Sequence, residues 1–200
     1  MAYHNNLAEV ASTIADLDSE LRRIQLSANE VGTAIPAEFH DCHDNFRGIF
    51  TTFRQEVVHY AHNTAKFAYN NLLSQVVRDD LSREDKLLKL RRFLEPAPSN
   101  VRAANKSAST DNWQRVNTLK LSVRTSETIL GHYGFNTTAI LNRFDTVLNG
   151  IGWFSGVFYP RIEEYAQSWE ESILNDTLTD EGLENNVVWL RDVIGKMENF

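Results

Sequence analysis

The chain has 200 residues, 42% of them hydrophobic and 24% charged, with a formal net charge of −7. This is an ordinary globular composition, long enough for one domain over 1–200 that buries about 70% of its unfolded surface without a covalent staple. One cysteine, Cys42, excludes an intramolecular disulfide, the opening MAYHNNLAEV lacks the parts of a secretory signal, and no apolar run reaches the ~18 residues of a membrane span. A soluble cytoplasmic protein is the expectation, with membrane association only after a change of conformation.

Leu7, Val10, Ile14, Leu17, Leu21, Ile24, Ala28, Val31 and Ile35 recur in steps of three and four, the seam of an amphipathic helix. Asn5 or Asn6 offers the cap, because a short polar side chain accepts from an orphan backbone N–H. Pro36 stops the run, since it has no N–H and restricts Ile35 before it. The first helix is predicted over 5–35. The second, 37–78, carries Phe39, Phe46, Phe53, Tyr60 and Phe67, aromatic residues spaced by seven. Such a stripe reads as core, and Cys42 between its first two rings reads as a buried, inert thiol.

Ser82-Arg-Glu-Asp85 combines a cap with first-turn acids and predicts a helix over 82–95, either separate or the end of the second helix after a kink. Residues 95–111, rich in Pro, Ser, Ala and Asn, read as a long loop. From Val116 through Leu130, Tyr133, Phe144 and Ile151 to Phe158 the three-four steps continue, and a helix is predicted over 111–150. Gly150, Gly152 and Gly156 interrupt it and Pro160 ends or kinks it, which leaves further helices at 160–175 and 180–198. Period-two runs are lacking. The predicted fold is all-α, a bundle of four to five helices whose long members pack antiparallel in coiled-coil fashion.

Chemistry is harder to find. His40 and His43 share a helix face, and Glu56-Val-Val-His59 forms one Glu-x-x-His unit, but no second such unit completes a di-iron site. No metal and no cofactor is expected. Gly-x-Ser-x-Gly, phosphate-cradling and dinucleotide patterns are missing, so catalytic residues, an enzyme activity and a small-molecule substrate are not expected. Nucleic acid is excluded as a partner by the missing modules and the acidic balance.

Two stretches remain. Residues 86–124 hold nine bases against two acids, and 161–200 hold ten acids against three bases. Lys86, Lys89, Arg91, Arg92, Arg102 and Lys106 form a candidate basic face, unless the acidic helices lie against it. In Asn149–Pro160 glycines alternate with large rings in a charge-poor segment, which marks Ile151, Trp153, Phe154, Val157, Phe158 and Tyr159 as membrane or partner contacts. The expected function is non-enzymatic: protein–protein contact or self-association as a homo-oligomer. The alternative is a water-soluble, membrane-active protein of pore-forming type that inserts 147–160 while its bases meet an anionic membrane.

Overall fold

The computed structural model describes residues 7–198 and Phe200, apart from the side chains at 33 and 180–182. Positions 5 and 6, where the first cap is expected, lie outside the described residues. Among those described the chain is helical throughout, with no strand. Seven helices follow: α1 (Leu7–Val31), α2 (42–76), α3 (Arg83–Leu94), α4 (Pro96–Thr125), α5 (Glu127–His132), α6 (137–175) and α7 (Asp180–Glu198).

α1 buries Leu7, Val10, Leu17, Leu21, Ile24 and Ala28, as its periodicity requires, but it ends at Val31. Gly32 takes a positive φ there, and a 3-10 turn leads into Pro36. Ser82 caps α3 by accepting the Asp85 N–H at 3.1 Å, so 83–94 is a helix of its own. The loop expected at 95–111 is absent. α4 starts at Pro96 instead, with Pro96 and Pro98 in its first turn, where backbone N–H groups have no intrahelical partner to lose. Ala97, Ala103, Ala104 and Ala108 then carry the helix through a stretch whose Ser and Asn content looked like loop.

The helix predicted over 111–150 is likewise two arms rather than one. Ser126 breaks α4 from α5, and Gly134, at φ +82, turns the chain back before Asn136 caps α6 by accepting the Ala139 N–H. Gly150, Gly152, Gly156 and Pro160 do not end α6. The helix opens into a π turn over Phe154–Phe158 and continues to Asn175. Proline in a regular helix clashes with the carbonyl four residues back, here that of Gly156, and the wider π turn just before Pro160 takes up that misfit.

The helices lie in four columns, α2 and α6 running one way and α1, α7 and the α3–α4 column the other. α6, roughly 58 Å long for its 39 residues, is one column. α3 and α4 succeed each other along it, kinked at Glu95, as the contacts Arg91–Glu170, Arg102–Glu163, Ser109–Ile151 and Lys120–Asp145 show. α2 forms the third column. α7 and α1 share the fourth: α7 lies along α2 and α6 through Arg191–Tyr69 and Phe158–Trp189, and α1 continues beyond it through His43–Asp18 and Arg143–Glu20. One contiguous apolar cluster runs the length of the columns.

α2 contains two π turns of its own, Arg54–Val58 and Ala68–Leu73. Each inserts an extra residue and rotates everything downstream. Phe39, Phe46 and Phe53 are therefore core, but beyond the first π turn the buried positions become Ala61, Ala65 and Ala68. Tyr60 is half-buried and Phe67 is 46% exposed. The seven-residue stripe does not stay in the core as predicted; its second half is turned to the surface.

Candidate functional site

The rings displaced by the π turn border a cleft between α2 and the α3–α4 column, with a volume of about 530 Å³. Its apolar surface is Tyr60, Phe67, Leu72, Phe93 and Pro98. The Phe67 and Phe93 rings face each other across it, 6.0 Å between centroids and 13° from parallel. Thr64, three amides (Asn63, Asn71 and Gln75) and three cations (Lys89, Arg92 and Arg102) complete the wall, and no acidic side chain among the described residues lines it.

The cations are held differently. Arg102 is only 2% exposed. Its Nη1 donates to the Phe93 carbonyl at 2.9 Å, its Nε to Glu163 at 3.4 Å, and its guanidinium lies 4.1 Å from the centre of the Phe93 ring. Such a fork is fixed before any ligand arrives, and Nη2 makes no hydrogen bond among the described residues. Lys89 donates to Gln75 Oε1 at 2.6 Å, which fixes the ammonium on the wall without neutralising it. Arg92 is exposed and makes no ion pair among the described residues. The site is a cationic rim on an aromatic floor, held by burial, by hydrogen bonds to neutral groups and by the ion pair of Arg102 with Glu163.

The basic face predicted from sequence is thus divided. Lys89, Arg92 and Arg102 converge on the cleft, Arg91 donates to Glu170 at 2.7 Å, and Lys86 and Lys106 stand outside it with no ion pair among the described residues. The acidic C-terminal region meets the basic stretch in two ion pairs among the described residues, Arg91–Glu170 and Arg102–Glu163.

Ile151, Trp153, Phe154, Phe158 and Tyr159 are buried and Val157 is half-buried. They form the middle of the core. Phe154 meets Phe53 at 5.5 Å, Trp153 packs on Phe158 at 5.7 Å, and the Tyr159 hydroxyl donates to the Val57 carbonyl at 3.4 Å. That last bond joins the π turn of α2 to the end of the π turn of α6. Contact with a membrane or partner through these six residues requires the columns to part. No helix among the described residues is long and apolar enough to cross a membrane.

Cys42 is buried with its Sγ 3.5 Å from the Leu21 carbonyl, and burial pushes its thiol up to about 12. The histidines are dispersed: His40 lies against Asn29, His43 against Asp18, His59 against Asn63 and His62 against Glu198. Among the described residues no three His, Cys, Asp or Glu side chains gather to hold a metal.

Sequence reasoning missed Tyr60, Phe67 and Gln75 as members of a cleft. The one signal for it is a second apolar line, Ala61, Ala65, Ala68 and Leu72, running one residue out of phase with the aromatic stripe. Comparison with protein families, with curated proteins and with solved structures finds no match for the chain.

Proposed function

We propose that the chain is a non-enzymatic helical-bundle protein that works by protein–protein contact, with its long antiparallel helices packed in coiled-coil fashion as a stiff rod. The contact is self-association through one end of the rod. The observation that carries this reading is the apolar character of that end. Leu26, 54% exposed, and Val31 project from the last turns of α1, and Ile129 and Tyr133 from α5 and the turn after it. Arg23 over the Phe135 ring, at 5.5 Å, ties the two elements to the same end.

Residues 125–142 there carry a single formal charge, Glu127, in a protein of net charge −7. Two copies that meet through this end bring together their least charged parts, so apolar burial is opposed by little repulsion. A burial-driven contact is insensitive to salt, whereas a contact through the basic face weakens as salt rises. The buried, strongly protonated thiol of Cys42 supports the non-enzymatic reading, because a thiol nucleophile acts as thiolate.

Light scattering coupled to size exclusion tests it. The wild type should move from monomer to dimer with rising concentration, equally at low and high salt, and Ile129→Asp with Tyr133→Asp should remain monomeric with unchanged helicity. A wild type that stays monomeric at the highest soluble concentration, or a dimer indifferent to both substitutions, overturns it.

A further inference from the structure

The cleft between α2 and the α3–α4 column lies away from the end assigned to self-association, and its chemistry is that of a ligand site. Its volume of about 530 Å³ falls within the range of roughly 300–1,000 Å³ that receives small organic molecules. We propose that it binds a small amphipathic anion: a carboxylate borne on a flat apolar body, the body against the exposed ring of Phe67 and the carboxylate on Arg92, Lys89 and Arg102.

Three features converge on that class. First, the charge on the wall is of one sign, with three cations and no acid among the described residues; Arg102 is paired with Glu163 behind the wall, so a neutral or cationic ligand leaves Lys89 and Arg92 uncompensated. Second, Arg102 is a buried guanidinium that is already oriented by Glu163 and the Phe93 carbonyl, with Nη2 left over. A fork held this way meets a carboxylate with little further loss of side-chain freedom. Third, Phe67 is a large ring left 46% exposed, facing Phe93 in near-parallel orientation. An aromatic body laid on the exposed part of Phe67 extends that stack and buries the ring, while inorganic phosphate gains nothing from it. The amides of Asn63 and Asn71 offer donors and acceptors for further polar groups on the ligand.

The sequence led to the expectation of no small-molecule ligand, because no motif announces one. The site arises from a register change that no motif records. The cleft is taken as a binding site alone, its described lining holding no His, Cys, Asp or Glu side chain.

The test is titration calorimetry of the full chain with three probes: 2-naphthoate, its neutral counterpart 2-naphthamide, and inorganic phosphate. The expected result is one saturable site for 2-naphthoate with a dissociation constant on the order of 0.1 mM. The amide and phosphate should each bind at least about tenfold more weakly, for want of the charge and of the ring respectively. Arg92→Gln, at an exposed position, and Phe67→Ala, checked for unchanged helicity because the ring stacks on Phe93, should each weaken naphthoate several-fold, and Lys106→Gln outside the cleft should not. The Ile129→Asp/Tyr133→Asp protein should bind naphthoate as the wild type does, so failure of self-association and failure of this site are separable. No saturable binding of naphthoate, equal binding of naphthoate and naphthamide, phosphate binding as tightly as naphthoate, or Arg92→Gln and Phe67→Ala without effect each overturns the proposal.

Discussion

Alanine at Gly150 places a methyl group where α1 and α6 touch. A Cβ there would stand 2.5 Å and 2.6 Å from the two γ-carbons of Val10 and 3.1 Å from its Cβ. Rotating Val10 about χ1 only exchanges which γ-carbon is in the way, because a β-branched side chain has two of them. The helices must therefore separate, and overpacking of this kind costs about 1–3 kcal/mol, here near the upper end. Alanine returns about 1 kcal/mol through its better helix propensity. The net expectation for Gly150→Ala is a loss of about 1–2 kcal/mol, or about 2–8 °C in Tm for a chain of this size.

The decisive comparison is made in a Val10→Ala background. That change removes both γ-carbons at its own cost of about 1–2 kcal/mol, and Gly150→Ala then becomes neutral or stabilising by up to about 1 kcal/mol. Urea denaturation of the four proteins gives a coupling energy expected near 2 kcal/mol. If Gly150→Ala costs the same in both backgrounds, the close approach of α1 to α6 is not what the glycine serves.

Removing the Arg102 side chain (Arg102→Ala) strips the Phe93 carbonyl and ring of their partner and should cost about 2–4 kcal/mol in a denaturant series, while Glu163→Gln, at the wetter end of the pair, should cost less than about 1 kcal/mol. Ser109→Ala leaves the buried Ile151 carbonyl without the hydroxyl that donates to it and should cost about 1–2 kcal/mol. Cys42 should resist a thiol reagent in the native protein and react at once in concentrated guanidinium. Its native thiol keeps the proton from its ordinary 9.0 up to about 12, while the unfolded thiol loses it, so its stabilising share is full below that window and fades as pH rises through it. Cys42→Ala should flatten that alkaline loss in thermal melts. Anionic liposomes should not leak at neutral pH and low salt, because Trp153, Phe154 and Phe158 are inside the core. Leakage by the folded protein would favour the membrane-active reading of 147–160 over self-association.

The core was legible wherever the helix period was unbroken. The seam of α1 and most of the line from Val116 to Phe158 are buried as their spacing requires. What that line did not disclose is that the chain reverses in the middle of it. The turn at Gly134 keeps apolar residues in phase on both sides, since α4 and α6 face the same core, so periodicity alone joins two helices into one. Gly134 and Asn136 were the available signals. The misread loop at 95–111 has a different cause. Its prolines stand in the first turn, where they do no damage, and composition cannot distinguish that position from a helix interior.

The cleft was illegible for a reason that also explains why it exists. Counting by seven from Phe39 assumes about 3.6 residues per turn throughout, and the π turn at 54–58 adds one residue that the count does not contain. With that residue, Ala61, Ala65 and Ala68 face inward, in a segment packed against α7, where small side chains let the columns approach. Without it, Tyr60 and Phe67 would occupy those positions, and rings of that size would force the columns apart by overpacking. The same turn therefore protects the packing of one face and exposes two rings on another, beside Lys89, Arg92 and Arg102 from the neighbouring column. The aromatic stripe and the basic stretch, separate features in the sequence, become one site only through the register change, and so their spacing along the chain held no sign of it.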